Sequence, residues 1–302
     1  MIKETLKIFS QNVRKNKILT DTILENNKDT TDIISIQEPS RYLIHRIPSY
    51  TNSLGDPLYG FFNHPNWTLF IRQDPNQDNY ARVATYVNKC LSKMRFTIRL
   101  DIVNHKDINI LAFHCDHYTN FIINIYSNSN QTTIHFLQQN TINSDNMVII
   151  IGDFNIRDSD WDSLAHHHSI HTDDLFTIAD SLGLELSPLS NLGPTIFIDN
   201  SHDSNSVLDL VFIPLDNLGF GKQILHPEIH RPSDHVPITI EIGIHSINVN
   251  INKWSIRKDS KEEKNFISSI IDGVKNLDMS NIETKENLEN SVQQLAAIFE
   301  YA

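Results

Sequence analysis

Met147-Val-Ile-Ile-Ile-Gly-Asp-Phe-Asn155 is the stretch on which the fold of this chain turns. Its apolar run is short and mostly β-branched, so it reads as a strand buried on both faces, closed by a glycine and then by an acid and an amide two residues apart. Working outward, similar runs occur at Thr5–Phe9, Asp32–Ile36, Thr68–Ile71, Val83–Val87, Phe96–Ile102, Ile108–Phe113, Phe121–Tyr126, Val207–Ile213 and Pro237–Ile244. Helical spacing appears between several of them, at Lys15–Asn26, Thr132–Asn143 and Asp173–Leu182, the last with a possible cap at Thr172. So many strands exceed the needs of one open sheet in a small doubly wound domain, and some are joined by hairpin-length links. The expectation is an α/β (α+β) four-layer sandwich, two packed mixed β-sheets flanked by helices.

The chain has 302 residues, enough for one large domain and an appendage. Residues 1–245 hold the strand pattern. From 246 to 302 the texture becomes Asn-rich, then charged, then helical at Glu262–Val274 and Glu283–Phe299, which reads as a linker and helical tail. The chain stops inside that helical pattern, as a fragment would. No apolar run approaches the roughly 20 residues of a membrane span, and the opening Met1-Ile-Lys-Glu-Thr-Leu-Lys lacks the apolar stretch of a secretory signal. An intracellular protein without membrane association is expected. Two cysteines, Cys90 and Cys115, are too few for a disulfide framework and read as buried thiols. The net charge of -12 opposes a nucleic-acid substrate, since polyanion binders usually carry a basic footprint. A carboxylate site for a divalent cation would, however, be locally acidic until the cation reverses its field.

Several polar groups stand at the ends of these apolar runs. Alternation points Asp153 and Asn155 to one side, where the acid could polarise a water and the amide donate to a phosphate oxygen; a plain Asx turn uses the same residues. Glu38, in Ser35-Ile-Gln-Glu-Pro39, sits where proline stops another strand. Asn12, in Phe9-Ser-Gln-Asn-Val-Arg14, could supply an oxygen ligand, orient one, or simply turn the chain. Hard cations take such oxygens from separate segments, so long gaps in sequence are no objection. In Arg231-Pro-Ser-Asp-His-Val-Pro237 a capped loop would explain Ser233 and Asp234 but not His235. Asp209 interrupts the apolar Val207–Ile213 and needs a partner, for which a histidine is natural. The triple histidine His166–His168 reads as a solvated loop before a helix.

In chain order, Gln11-Asn-Val13, Gln37-Glu38, Asn124-Ile-Tyr126, Gly152-Asp-Phe-Asn155, Pro194-Thr195, Ser206–Asp209 and Ser233-Asp-His235 resemble the successive motifs of the endonuclease/exonuclease/phosphatase superfamily. The resemblance covers residues 1 to about 245. It implies a DNase-I-like fold and metal-assisted, in-line attack of water on a phosphodiester. By the same resemblance Glu38 is the principal Mg²⁺ ligand, with Mn²⁺ as the alternative cation. Asn12 supports that site, and Asp234 either joins it or holds a second ion. Asp153 orients or deprotonates the water with Asn155 beside it, Tyr126 donates to the phosphate, and His235, held by Asp209, stabilises the transition state. Thr195, Ser233 and Arg14 resemble groups that contact phosphate or DNA.

Within the superfamily, Gln11-Asn-Val-Arg-Lys15, Ala81–Asn88 and Ser206–Phe212 resemble the endonucleases of LINE-type (non-LTR) retrotransposons. Lys253-Trp-Ser-Ile-Arg-Lys258 and the helical stretches after it look like the connector to a reverse transcriptase. This implies an enzyme that nicks DNA, in the nucleus, and exposes a 3′ hydroxyl for the reverse transcriptase portion of the same element. The alternatives are a cellular enzyme of the superfamily acting on abasic DNA, RNA or a small phosphate ester, and a non-catalytic DNA-binding or assembly module derived from a transposon.

Overall fold

In a computed structural model, the residues described are 5–40, 44–51, 57–61, 64–72, 80–91, 94–115, 118–140, 142, 147–187, 193–197, 205–214, 222–225, 233–243 and 261–275. The chain divides into two compact units, Met1–Ser246 and Ile247–Ala302.

The first unit opens with β1 (Thr5–Asn12), α1 (Lys17–Asn27) and β2 (Ile33–Gln37), followed by β3 (Ile44–Thr51), β4 (Pro57–Phe61), β5 (Trp67–Phe70) and β6 (Val83–Asn88). Then come β7 (Arg95–Ile98), β8 (Ile108–Cys115), β9 (Tyr118–Tyr126), α2 (Thr132–Gln139) and β10 (Met147–Asp153). It closes with α3 (Ile170–Ser181), β11 (Leu184–Leu186), β12 (Asp209–Pro214), β13 (Lys222–Leu225) and β14 (Ile238–Gly243). One sheet runs β13-β14-β1-β2-β6-β5, a second runs β11-β12-β10-β9-β8-β7, and β3 pairs only with β4.

Each six-stranded sheet has one parallel pair, β1 with β2 and β9 with β10, and antiparallel pairs elsewhere. Parallel neighbours need a crossover, and in both sheets a helix supplies it, α1 in the first and α2 in the second. Because side chains alternate along a strand, each sheet contributes to two cores. Leu6, Ile8 and Ile33 face Leu111, Ile122, Ile151 and Val211 between the sheets. Phe9, Ile34 and Ile36 turn outward to Leu19, Ile23 and Leu24 of α1. Ile123, Ile125 and Ile150 turn outward to Ile134 and Leu137 of α2 and to Leu175 and Ile178 of α3. These three cores separate four layers, as the patterning predicts.

A polar bridge crosses the core between the sheets. Gln37 Nε2 donates to Asn124 Oδ1 at 2.8 Å, and Asn124 Nδ2 donates back to the carbonyls of Ile36 and Ala84; both side chains are fully buried. Buried amides unpaired at this depth would each cost about 1–3 kcal/mol, so the pair fixes how the sheets align beneath one rim.

Some local readings change. The helix read from Asp173 starts at Ile170 and is capped by Ser169, whose Oγ accepts from the His171 N–H. Thr172 lies inside it, fully buried, its hydroxyl donating to Asp158 at 2.6 Å. Cys90 is exposed rather than buried, in a short 3₁₀ turn, Lys89–Leu91. The second unit contributes α4 (Lys261–Lys275), where the helical spacing from Glu262 places it; the Glu283–Phe299 stretch lies outside the described residues. Among the described residues, no helix is long and apolar enough to cross a membrane.

Candidate active site

Strand register does most of the assembly. Asp153, the last residue of β10, is flanked by Tyr126 of β9 on one side and Asp209 of β12 on the other. In the other sheet Asn12 pairs with Gln37, so Glu38 emerges beside Asn12. Both parallel pairs therefore end at one rim, where the carboxyl ends of parallel strands commonly build sites. Gly152 is needed for this: a Cβ there would lie 1.9 Å from the Ile125 carbonyl oxygen of β9.

At this rim Asn12, Arg14, Lys15, Glu38, Tyr126, Asp153, Asn155 and His235 line a cleft of about 270 Å³. A larger recess, about 430 Å³, is lined by Arg157, Leu164, Ala165, His166 and His167 and shares none of these residues. Size here does not mark chemistry, because the smaller cleft is the one where titratable groups converge.

His235 is buried, and its Nδ1–H donates to Asp209 Oδ2 at 2.9 Å. An ionised carboxylate can only accept, so this bond puts the proton on Nδ1. Nε2 lies 3.7 Å from Asp153 Oδ2, beyond direct hydrogen-bond reach, and stays available to another partner. Burial pulls the imidazole pKa down, but the charge of Asp209 and its hydrogen bond, helped by Asp153 and Asp234, outweigh it and carry the pKa up to about 9. His235 is therefore an imidazolium at neutral pH. Asp153 is lifted well above the usual carboxylate range, first by burial and then by Asp209, against the pull of His235 and the hydrogen bonds from Asn12 and Asn155. Burial, with the charges of Glu38 and Asp153, pushes Tyr126 up to about 12, so its phenol remains a donor.

The Asn12 amide spans the sheets. Its Nδ2 donates to Asp153 Oδ2 at 2.8 Å and to Glu38 Oε2 at 3.4 Å, while Oδ1 accepts from the Arg14 N–H. Asn12 thus orients two carboxylates, one from each sheet. Those carboxylates are hard-oxygen donors suited to a divalent cation, and Asp234 has a buried Oδ1 without a hydrogen-bond partner. Glu38, with Asp234, would hold such an ion.

The remaining candidates fall around this centre. Asp234 Oδ2 is 2.6 Å from Arg14 Nη2, and the pair sits at the edge of the cleft. Thr195 is fully buried, its Oγ1 accepting from the Leu208 and Asp209 N–H groups at 2.9 and 3.0 Å. Ser233 donates to the Asn12 carbonyl at 2.8 Å and accepts from the His235 N–H. Neither hydroxyl lines the cleft; Ser233 pins the backbone of Asn12 and His235, which do, and Thr195 pins that of Asp209, the partner of His235. At Asp153 and Asn155 the two sequence readings turn out to be compatible. Asn155 has φ +50°, and its N–H donates to Asp153 Oδ1, which is an Asx turn, yet both side chains face the cleft. Asp209 begins β12 rather than interrupting it.

The non-glycine residues with positive φ among those described are Arg14, Lys15, Glu38, Gln131 and Asn155. All but Gln131 line the cleft, and Gln131 donates to the Asn155 carbonyl. Conformations costing about 1–3 kcal/mol each are thus gathered at one rim. Sequence reading missed the support under Tyr126. Arg82 lies 4.6 Å from the centre of its ring and pairs with the fully buried Asp107, whose carbonyl accepts from the Tyr126 N–H. Charged residues immediately before the apolar runs of β6 and β8 were the available signal.

Residues 120–239 match the family model described as "Endonuclease-reverse transcriptase". Among solved structures, the endonuclease domain of TRAS1, a telomere-specific non-LTR retrotransposon, is similar at 14% identity and a TM-score of 0.56, over 80% of this chain and 99% of that one. The AP endonuclease LMAP from Leishmania major is similar at 13% identity and a TM-score of 0.57, over 80% and 89%. The catalytic domain of Xenopus laevis APE2 is similar at 16% identity and a TM-score of 0.51, over 79% and 92%. At such identities these structures speak for the fold. No curated protein matches the sequence. The chain thus shares its sandwich fold with these endonucleases, and over a segment that spans Tyr126, Asp153, Asp209 and His235 it is similar to the endonuclease-reverse transcriptase family.

Proposed function

We propose that this protein is a Mg²⁺-dependent phosphodiesterase that nicks DNA as the endonuclease of a LINE-type retrotransposon, leaving a 3′ hydroxyl for target-primed reverse transcription. The observation that carries this reading is the convergence of Asn12, Glu38, Tyr126, Asp153, Asn155 and His235, from both sheets, on one cleft. A bound Mg²⁺, or Mn²⁺ in its place, would supply Lewis-acid stabilisation of phosphoryl charge. Glu38 would hold it, with Asp234 at its margin.

The chain's own residues account for the rest. Asp153, a buried base with a raised pKa, accepts a proton from the attacking water. His235, its Nδ1 committed to Asp209, presents Nε2–H to a phosphoryl oxygen as charge develops there. Tyr126 donates to the same phosphate. Asn155 gives one amide hydrogen to the Ser127 carbonyl at 2.7 Å and keeps the second for substrate. Arg14 and Lys15, about half exposed, offer positive charge to the DNA backbone in a chain otherwise strongly acidic.

The test is conversion of supercoiled plasmid to open circle by the purified chain in Mg²⁺ and in EDTA, with primer extension from the nick to show a 3′ hydroxyl. Activity only with the cation, and extendable ends, are expected; no nicking under any divalent cation would reject the proposal. The net charge of -12 favours a second reading, a superfamily phosphodiesterase acting on a smaller ester. Turnover of a chromogenic phosphodiester with plasmid left intact would select it. We also infer a reverse transcriptase in the same element and a nuclear site of action, which the family model's description and the proposed substrate support.

A further inference from the structure

Outside the cleft, α2 and α3 lie side by side on the outer face of the second sheet, held by Ile134, Leu137, Leu175 and Ile178 in one core. Their solvent side carries His135 on α2 and His171 and Asp174 on α3, the latter two at i and i+3 and therefore on one face. We propose that these three side chains bind a transition-metal dication of the zinc class, which staples α2 to α3.

The donor atoms of the three residues all lie within 4.8 Å of one another. His171 Nδ1 is 3.8 Å from Asp174 Oδ2, and the two imidazole rings are 5.1 Å apart at 59°. Tetrahedral zinc with bonds near 2.1 Å sets its ligand atoms roughly 3.4 Å apart. Modest rotamer changes close the difference, and His135 is exposed enough to make them. A hydrogen-bonded cluster would explain the grouping differently, but the contacts do not support one. The 3.8 Å separation is too long for a hydrogen bond, and His171 Nδ1 is shielded from solvent with no hydrogen-bond partner.

The neighbouring Asp158–Asp160–His168 group shows the contrast. There the Asp158 carboxylate accepts from the Ser169 and Asp160 N–H groups, the Thr172 hydroxyl and His168, so it is a satisfied loop anchor. Two imidazoles and one carboxylate select a borderline cation such as Zn²⁺ over Mg²⁺, whereas the cleft offers mainly oxygen. With three protein ligands, water completes the coordination.

The experiment uses the full chain, stripped of metal, titrated with Zn²⁺ by calorimetry and with Co²⁺ by visible absorption. Expected are a Zn²⁺ equivalent that persists in Glu38→Ala, Co²⁺ bands of a four- or five-coordinate site with nitrogen ligands, and a rise in Tm with Zn²⁺. His135→Ala/His171→Ala abolishes the bands and weakens Zn²⁺ binding by at least about tenfold. His166→Ala/His167→Ala and Glu38→Ala leave both signals in place. Should the double variant fail to fold, His135→Gln, at an exposed position, must produce the loss. Zn²⁺ binding that survives removal of His135, or disappears only with His166 and His167 or with Glu38, would overturn the assignment.

Discussion

Two histidines in this molecule stand beside carboxylates, and they are built in opposite ways. His235 is clamped: buried at a strand edge, its Nδ1 bound to Asp209, its backbone tied to Ser233 and Gln11. His171 is loose: partly exposed on a helix, its Nδ1 unpartnered, its nearest acid 3.8 Å away. The difference teaches what each can do. A transition state is served by a group already in place, whose reorganisation costs nothing at the moment of reaction. A metal ion can draw flexible ligands into position, and its binding free energy offsets that ordering.

The comparison can be broken most violently from below. Gly152→Ala pushes a methyl into the Ile125 carbonyl and is expected to yield insoluble protein or a loss of about 3 kcal/mol or more in urea melts, with the cleft lost. Next, Asp209→Ala strips a buried imidazolium of its partner and should cost roughly 3–5 kcal/mol, whereas Asp174→Ala should stay within about 0.5 kcal/mol. Equal costs would erase the distinction between clamped and loose.

A pH series on metal-free protein sharpens it further. The folded-state pKa of His235 is raised to about 9 against an ordinary 6.5, so its stabilisation is complete below 6.5 and is lost as pH rises through 9. The raised pKa of Asp153 acts with the same sign, beginning just above the ordinary carboxylate range. Tm is therefore expected to fall by several degrees from pH 7 to pH 10, with a shallower fall in Asp209→Asn. A Tm that rises over that interval contradicts the assignment. The smallest effects belong to the loose site: His171→Ala should change the nicking rate by no more than about twofold, consistent with a position outside the cleft. A loss of a hundredfold would mean that α3 takes part in catalysis.

Much of this was legible in the residues, for definite physical reasons. β1, β2, β6, β8, β9, β10, β12 and β14 carry apolar runs because they are covered on both faces, and the polar groups that end those runs are the ones gathered at the rim. The hairpin of β3 and β4 was not legible, since Ile44-His-Arg-Ile-Pro-Ser-Tyr-Thr51 lacks a clean apolar run. Leu184-Glu-Leu186 is too short to announce a strand, and Lys222-Gln-Ile-Leu225 is an edge strand, paired only with β14. Arg82 and Asp107 escaped because each shows in the sequence only as a charge before an apolar run, and nothing local says that the two pair. His135, His171 and Asp174 escaped for a related reason: the i,i+3 pair is visible only once the helix boundary is placed at Ile170, and its third member comes from another helix.

The most direct test of the central claim, that residues from both sheets act as one catalytic unit, is single-turnover plasmid nicking in Mg²⁺ by wild type, Glu38→Ala, His235→Ala and the double variant. The account predicts that each single variant falls by roughly 10²–10⁴-fold and that the double variant falls much less than the product of the two. Folded variants that nick at the wild-type rate would contradict it.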